Sequence, residues 1–213
     1  MKKTLLAAVA VAALSLSVQA QAAPIVLTFE GVGDLNPVGN FYASQGVVFS
    51  SDTLALVDQD AGGSGNIANE PSGSTVMFFL NSNNAILDFA AGFTTGFSFF
   101  YSSAFQASVS VWDGLNGTGN QLGTLNLDAQ HDSNCSGDPH GQYCNWTPVG
   151  VNFNGTAKSI NFGGTANYVV FDDITFGSAT PGVVPEPGTW ALMIGGFGMA
   201  GAALRSRRRA LTA

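Results

Sequence analysis

The chain has 213 residues and a formal net charge of −7 at pH 7. Six of its seven basic residues lie near the two ends, so residues 24–184 hold Lys158 alone against thirteen carboxylates, a net charge of −12. So acidic a body excludes nucleic-acid binding, which requires a basic surface. The same charge favours solubility outside the cell and repels anionic polymers unless divalent cations intervene.

Residues 1–23 have the layout of a secretory signal peptide. Lys2 and Lys3 form a positive start, a mainly apolar stretch follows, and cleavage is predicted after Ala20, Ala22 or Ala23. A retained membrane anchor is the alternative, although the apolar stretch is short for a membrane span. We therefore expect Sec-dependent export of the body.

The body, residues 24–182, has the pattern of an all-β domain. Short apolar or alternating runs such as TVMFFL, AILDFA, GFSFFY, VGVNF and KSINFG recur between glycine, asparagine, serine and aspartate. Several short strands at this spacing predict a jelly-roll-like β-sandwich. No helical period of useful length occurs outside the two ends of the chain.

The stretch ASVSVWDGLNGTGNQLGTLNL predicts a hairpin within this sandwich. Alternation places Val109 and Val111 on one face and Ser108 and Ser110 on the other, because successive side chains of a strand point to opposite sides. Trp112 then shares the face of the two serines. The residues of DGLNGTGN suit a turn because they tolerate positive φ.

Cys135 and Cys144 are the only cysteines of the chain. In an exported protein two cysteines nine positions apart predict a disulfide, which would pin the loop HDSNCSGDPHGQYCNW. His131 and His140 each precede a cysteine by four positions, so a tetrahedral zinc site of two histidines and two cysteines is the alternative.

Three carboxylates are predicted to meet where the first and last strands of the sandwich lie side by side. Glu30 follows the first strand, and Asp172 and Asp173 lie within the last one. Because clustered carboxylates repel, a structural calcium ion with its oxygen ligands would suit them. Alternation allows only one of the two aspartates to be a primary ligand. In the alternative interpretation, Glu30 caps a turn and one aspartate faces solvent.

This arrangement resembles the structural calcium site of carbohydrate-binding jelly rolls, which include many non-catalytic, lectin-like modules. A second acidic stretch, DQDAGGSGNIANE, matches an EF-hand loop at Asp58, Asp60 and Gly63 but lacks the glutamate at the twelfth position. We interpret it as a glycine-rich loop, with calcium binding as the alternative.

Five aromatic residues could offer flat faces to sugar rings, although aromatic residues of a sandwich more often lie in its core: Tyr42, Tyr101, Trp112, Tyr143 and Trp146. Of these, Trp112, Tyr143 and Trp146 are the predicted ligand-binding residues. Catalysis has little support in the sequence. There is no nucleophile elbow and no H-E-x-x-H zinc motif. With thirteen carboxylates a glycosidase pair cannot be ranked above chance, so a surface hydrolase is only the third interpretation.

Residues 183–213 have the order of a processed membrane tail. Pro185, Glu186 and Pro187 precede an apolar helix predicted at about 189–204, and a basic cluster ends it. The apolar segment is marginal as a span. The basic cluster comprises Arg205, Arg207, Arg208 and Arg209, which would act as a stop and keep the tail cytoplasmic.

This tail resembles the PEP-CTERM sorting signal of Gram-negative bacteria, on the residues VPEPGTW, the Gly/Ala-rich helix and the arginines. The resemblance implies that an exosortase recognises Pro185, Glu186 and Pro187 at the inner membrane. It implies a body first held in the periplasm and then released to the cell surface or an exopolysaccharide matrix. Together these patterns predict a non-enzymatic surface protein with a structural or adhesive role. A calcium-supported carbohydrate-binding module is the first alternative.

Overall fold

A computed structural model of the chain describes residues 24–133, 140–182 and 196–197. The predicted signal peptide, the PEP motif and the arginine cluster lie outside the described residues. Of the predicted transmembrane helix, only residues 196–197 are described, and both are helical. Within the described part of the chain, no helix is long and apolar enough to cross a membrane.

The described residues form an all-β sandwich, as predicted. The strands are β1 (Ile25–Leu27), β2 (Val47–Phe49), β3 (Thr53–Val57), β4 (Thr75–Phe79), β5 (Asn84–Ser103), β6 (Ala107–Trp112), β7 (Gln121–Leu127), β8 (Thr147–Gly163) and β9 (Val169–Phe176). One 3₁₀ turn, Ala43–Gln45, interrupts the loop before β2. Two pairs of predicted runs are single long strands: AILDFA and GFSFFY form β5, and VGVNF and KSINFG form β8.

Strands β5 and β8 are long because they cross from one layer of the sandwich to the other. Their pairing register shifts between Asp88 and Thr95, and both Gly92 and Thr95 have a φ of 76°. Bulges of this kind bend a strand and increase its twist. The first part of β5 therefore pairs with β2, whereas its last part pairs with β9.

We call the two layers of the sandwich layer A and layer B. Layer A contains β2, the first part of β5, the last part of β8, β6 and β7. Layer B contains β1, β3, β4, β9, the last part of β5 and the first part of β8. The hydrogen-bonded order is β3–β4–β9–β5–β8–β6–β7, with β1 beside β9 and β2 beside β5.

The core between the layers is built mainly from phenylalanine. Phe97, Phe99, Phe162 and Phe171 are fully buried, and their rings meet at centroid distances of 5.0–6.0 Å. Aromatic rings favour such tilted and edge-to-face contacts over flat stacking. The alternating residues of each strand supply this core from both layers.

A second apolar cluster covers the outer face of layer B. It contains Leu56, Ile67, Val76, Phe78, Tyr143 and Val170. Residues 58–74 and 140–146 supply the loops of this cover. Strand β9 is consequently buried on both faces along all eight residues, including its polar residues Asp172, Asp173 and Thr175.

A C-terminal strap, residues 177–182, also lies on the outer face of layer B. Gly177 N–H donates to the Gly96 carbonyl at 2.9 Å, and Ser98 Oγ donates to the Ser178 carbonyl at 2.9 Å. The approach is close because Gly150 has no side chain: a Cβ there would lie 1.9 Å from the Ala179 carbonyl oxygen. The last strand is thus tied down up to the residue before the predicted sorting tail.

Candidate functional site

The first and last strands lie side by side, as predicted. β1 pairs antiparallel with β9, and Leu27 is opposite Ile174. This pairing brings the loop after β1, which carries Glu30, towards the middle of β9, which carries Asp172 and Asp173. We call the two aspartates with Ser72 the acidic site.

A β-bulge in β9 turns both aspartates to the same side of the sheet. Opposite β5, Ser98 pairs with Thr175 and Phe100 with Asp172, so two residues of β9 face only one of β5. Asp173 adopts a φ of 50° at this point. The expectation that the aspartates face opposite sides was wrong, because simple alternation does not hold across a bulge.

Both carboxylates converge on Ser72 in the loop before β4. Ser72 N–H donates to Asp172 Oδ2 at 3.1 Å, and Ser72 Oγ donates to Asp173 Oδ1 at 2.7 Å. Within the pair, Asp173 N–H donates to Asp172 Oδ1 at 2.7 Å. Sequence reasoning missed Ser72 because it lies 100 residues before Asp172 and belongs to no periodic pattern.

Burial makes ionisation of these aspartates costly. Asp172 is 0% exposed, and desolvation, followed by the neighbouring charge of Asp173, raises its pKa from 3.8 to about 8. Desolvation also raises the pKa of Asp173, while the Ser72 hydroxyl opposes that change. No lysine or arginine forms an ion pair with either carboxylate in the described part of the chain. Asp172 therefore tends to retain its proton near neutral pH.

Glu30 is placed beside this site but has a different set of partners. Its Oε1 accepts hydrogen bonds from Ser74 N–H at 2.9 Å and Thr75 N–H at 2.8 Å. It therefore caps the turn that enters β4, which is the alternative role given by the sequence. Among the described residues, no three His, Cys, Asp or Glu side chains are gathered into a group that could hold a metal ion.

Tyr42 is buried near the acidic site and senses the charges of Asp172 and Glu30. Its hydroxyl oxygen accepts a hydrogen bond from Phe29 N–H at 2.7 Å. Desolvation, together with the charges of Asp172 and Glu30, raises the pKa of Tyr42 to about 12. The hydroxyl thus remains protonated at neutral pH.

The predicted aromatic residues are separated by the structure. Tyr143 is only 7% exposed and belongs to the cluster over layer B. Trp146 packs against the same cluster, and its Nε1–H donates to the Ala68 carbonyl at 2.9 Å. Trp112 lies on β6 in layer A, half-buried, and donates from Nε1 to Ser110 Oγ at 2.9 Å. Of the three, only Trp112 has a place on an open strand face, whereas burial of Tyr143 argues against a sugar-stacking role.

The cysteine loop is described only in part. Cys144 is buried and is not a free thiol, and its backbone N–H donates to the His131 carbonyl at 3.0 Å. Cys135 lies outside the described residues, so its pairing with Cys144 stays a prediction, as does the zinc alternative.

The glycine-rich acidic loop forms a local turn. Asp58 Oδ1 accepts a hydrogen bond from Asp60 N–H at 3.0 Å, and Asp60 lies 3.5 Å from His140 Nδ1. These contacts direct the two aspartates to different partners, in agreement with the interpretation of this stretch as a loop.

Comparison with solved structures returns carbohydrate-binding modules at low similarity. A family 6 carbohydrate-binding module is 18% identical over 60% of this chain and 83% of its own, with a TM-score of 0.37. A CBM61 module in complex with β-1,4-galactotriose is 12% identical over 70% and 92%, with a TM-score of 0.37. The CBM22-1–GH10 modules of Clostridium thermocellum xylanase 10B are 16% identical, with a TM-score of 0.41. The match covers 73% of this chain but only 28% of the xylanase chain.

No curated protein matches the chain. Similarities at such low identities and TM-scores say nothing about the ligand of this protein. The tail is different, because residues 183–209 match the model of the PEP-CTERM protein-sorting motif. The predicted tail begins at the same residue. The chain therefore carries, directly after its β-sandwich, a PEP-CTERM protein-sorting motif, which marks it as an exported protein.

Proposed function

We propose that this protein is a non-enzymatic component of the cell surface or exopolysaccharide matrix, with a structural or adhesive role. The observation that carries the proposal is the sorting motif at residues 183–209, which begins directly after the strap that ends at Gly182. The strongly acidic sandwich is the part delivered outside the membrane. Its charge suits solubility there.

The proposed route has two stages. The Sec machinery exports the chain, and the C-terminal helix holds it at the inner membrane with the sandwich in the periplasm. An exosortase then recognises Pro185, Glu186 and Pro187 and releases the sandwich to the surface. Arg205, Arg207, Arg208 and Arg209 stay on the cytoplasmic side until that step.

The route is tested by the intact mass of protein recovered from the envelope and medium of the native host. We expect a released form that ends near Pro187. A Glu186→Ala variant keeps the arginine cluster and stays in the membrane, whereas a control variant, Asn154→Ala, is processed normally. Wild-type protein that is full-length and membrane-bound in both fractions would contradict the proposal. In the same samples, a gain of about 2 Da on reduction tests the Cys135–Cys144 bridge.

A calcium-supported carbohydrate-binding module is the second candidate, favoured by the acidic site. Asp172 and Asp173 form a buried carboxylate pair for which the structure shows no lysine or arginine partner among the described residues. Calcium takes six to eight oxygen ligands, and the site offers two carboxylates and the Ser72 hydroxyl. Glu30 would join as a ligand or keep its role as a turn cap.

Calcium, when bound, would supply the positive charge that offsets two buried carboxylates. The residues of this chain determine its place: the bulge turns Asp172 and Asp173 together, and Ser72 orients them from the opposite loop. A cation at this position would hold the loop before β4 against the last strand. It would therefore support the fold of the sandwich, without taking part in a reaction.

Calorimetric titration of calcium into the metal-free protein tests this second candidate. We expect saturable binding and a higher melting temperature in the wild type. Both effects disappear in Asp172→Asn but persist in Asp52→Asn, which alters an exposed carboxylate outside the site. Equal binding by the wild type and Asp172→Asn would exclude the acidic site as the calcium position.

A further inference from the structure

The outer face of layer A is a continuous, mostly uncharged polar surface. The pairing registers of β5, β8, β6 and β7 define which side chains lie next to one another on this surface. Three rows cross the four strands: Asp88, Ser159, Trp112 and Gln121; Ile86, Asn161, Ser110 and Thr124; and Asn84, Gly163, Ser108 and Asn126. Three rows spaced two residues apart, on four neighbouring strands, cover an area of about 14 Å by about 14 Å. We call this surface the polar face.

The polar face is rich in groups that both donate and accept hydrogen bonds. Asparagine and glutamine amides and serine and threonine hydroxyls fill eight of its twelve positions. Amides and hydroxyls both donate and accept hydrogen bonds. Ser159 is the exception among the eight, because it is buried and its hydroxyl bonds to the β6–β7 turn. A ligand covered with hydroxyl groups can use both properties.

The polar face has one carboxylate, that of Asp88, and it already accepts a hydrogen bond from the backbone. Asp88 Oδ1 accepts a hydrogen bond from Asn116 N–H at 2.7 Å. No lysine or arginine belongs to the rows, and the body as a whole carries a net charge of −12. The surface therefore lacks the cations that would select an anionic ligand, and the surrounding charge repels one.

Trp112 gives the polar face an aromatic surface at one end. Its indole N–H donates to Ser110 Oγ, two residues back on the same side of β6, so the ring is held along the strand. An indole combines a large apolar ring with a polar edge. The apolar C–H side of a sugar ring can pack against such a surface while its hydroxyls bond to the amides.

The β6–β7 turn forms a wall beside Trp112. Gly117 N–H donates to Ser159 Oγ at 2.9 Å, and Ser159 Oγ donates to the Gly114 carbonyl at 2.6 Å. The turn therefore lies over the row that contains Asp88 and Ser159. The turn also borders the next row, since a Cβ at Gly117 would lie 3.8 Å from the Asn161 side chain. The row of Asn84 and Ser108 lies beyond the turn, and Asn84 Nδ2 donates to Asn161 Oδ1 at 3.4 Å.

We propose that the polar face binds a chain of a neutral polysaccharide, with Trp112 as the stacking residue and Asn161 as a central hydrogen-bonding residue. The inference rests on the proposed carbohydrate-binding function and assigns its site and its class of ligand. In the described part of the chain, loops and the strap cover the outer face of layer B, whereas on the polar face only the β6–β7 turn lies over the strands and most of the row residues stay at least partly exposed. The ligand is uncharged because the face offers amides, hydroxyls and an indole.

Affinity gel electrophoresis of the purified sandwich-containing protein tests the assignment. The neutral probes are hydroxyethylcellulose, xyloglucan and galactomannan, and the anionic probes are alginate and polygalacturonate, each run with calcium. We expect at least one neutral polymer to retard the wild type. Trp112→Ala and Asn161→Ala should each weaken that retardation by about tenfold, the change that corresponds to the loss of about 1.4 kcal/mol.

Two further variants separate a binding role from a structural one. Trp112→Phe keeps an aromatic ring and should retain most of the binding, whereas Trp112→Ala does not. Phe105→Ala removes a 50% exposed ring outside the three rows and should bind as the wild type does. Circular dichroism melts of every variant identify any that fails to fold, and Asn161→Ala then serves in place of a misfolded Trp112→Ala.

The outcomes distinguish the site from the function. Retardation that persists unchanged in both Trp112→Ala and Asn161→Ala would overturn the site assignment and leave the carbohydrate-binding proposal intact. Retardation by anionic polymers alone would overturn the class of ligand. A wild type that no probe retards would overturn the binding function and, with it, the polar face as its site.

Discussion

The outer faces of the two layers differ in chemistry although they belong to one sandwich. On layer B, loops and the C-terminal strap cover an apolar cluster and two buried aspartates. On layer A, the outward side chains are amides, hydroxyls and one tryptophan, most of them at least partly exposed. The same alternating strands thus carry a covered apolar face on one side of the sandwich and a largely exposed polar face on the other. The faces differ in how much of the chain lies on them: two loops and the strap lie on layer B, whereas only the β6–β7 turn lies on layer A.

The largest expected effect comes from the buried charge of layer B. The folded-state pKa of Asp172, about 8, lies above its unfolded value, so the native state binds the extra proton. Its stabilising contribution is present below about pH 4 and is lost as the pH rises to about 8. We expect the metal-free wild type to lose up to about 1.4 kcal/mol of unfolding free energy per pH unit in that window.

Urea unfolding across this pH range, in a chelator, measures the loss for the wild type and Asp172→Asn. The variant should show a shallower slope, since it has no carboxyl to ionise at that position. Asp52→Asn is the control, because it removes an exposed carboxylate. Parallel slopes for all three proteins would show that Asp172 does not carry the pH dependence.

Removing an apolar side chain should cost more on layer B than on layer A. Ile67 is 0% exposed in the cluster over layer B, so Ile67→Ala should lower the unfolding free energy by about 2–4 kcal/mol. Ile86 is only partly buried on the polar face, and Ile86→Ala should cost less than half as much. Chemical denaturation of both variants checks the difference. Equal losses would mean that the cover of layer B adds little to stability.

The packing of the C-terminal strap against layer B can be disrupted by a larger side chain at Gly150. Gly150→Val places a side chain where the Ala179 carbonyl oxygen lies, and the strap backbone must move. We expect a loss of about 1–3 kcal/mol, as for other overpacked sites, and faster proteolysis after residue 176. Asn154→Val, at an exposed position of the same strand, should leave the melting temperature and the proteolysis pattern unchanged. A strap that stays protected in Gly150→Val would show that the close contact with Gly150 is not what holds it.

The smallest effect is expected on the polar face. Ser110→Ala removes the acceptor of the Trp112 indole N–H, and a single hydrogen bond of this kind contributes about 0.5–1.5 kcal/mol. Because the N–H of the half-buried indole can donate to water instead, the loss of unfolding free energy should fall at the low end of that range. A change in the tryptophan emission of the folded variant would report the altered environment of the ring. A loss as large as that of Ile67→Ala would contradict the description of Trp112 and Ser110 as partly exposed surface residues.

Much of the fold could be predicted from residue patterns, because alternation and turn chemistry act locally. Val109 and Val111 are buried and Ser108 and Ser110 face outward, as the hairpin sequence predicts. The neighbouring positions of the first and last strands were also predicted correctly. The continuity of β5 through Gly92 and Thr95 was not, since the glycine and threonine there resemble a turn and only the pairing with β8 keeps the strand extended.

The sites were less predictable than the strands. Tyr143 looked suitable for stacking on a sugar, yet packing against Ile67 and Val170 buries it. Ser72 had no distinguishing pattern, and it orients both aspartates. In each case the decisive contact joins residues far apart in the chain, which no local pattern records.

By itself, the sequence determined the all-β character of the body, its strong negative charge and the sorting motif at residues 183–209. These properties depend on composition and on residues close together along the chain. Tertiary structure alone decided that Asp172 and Asp173 share one side of the sheet and that Trp112 lies on an open face apart from Tyr143 and Trp146. The physical reason is that a bulge needs a partner strand to exist, and a face is open or covered according to which distant segments pack upon it.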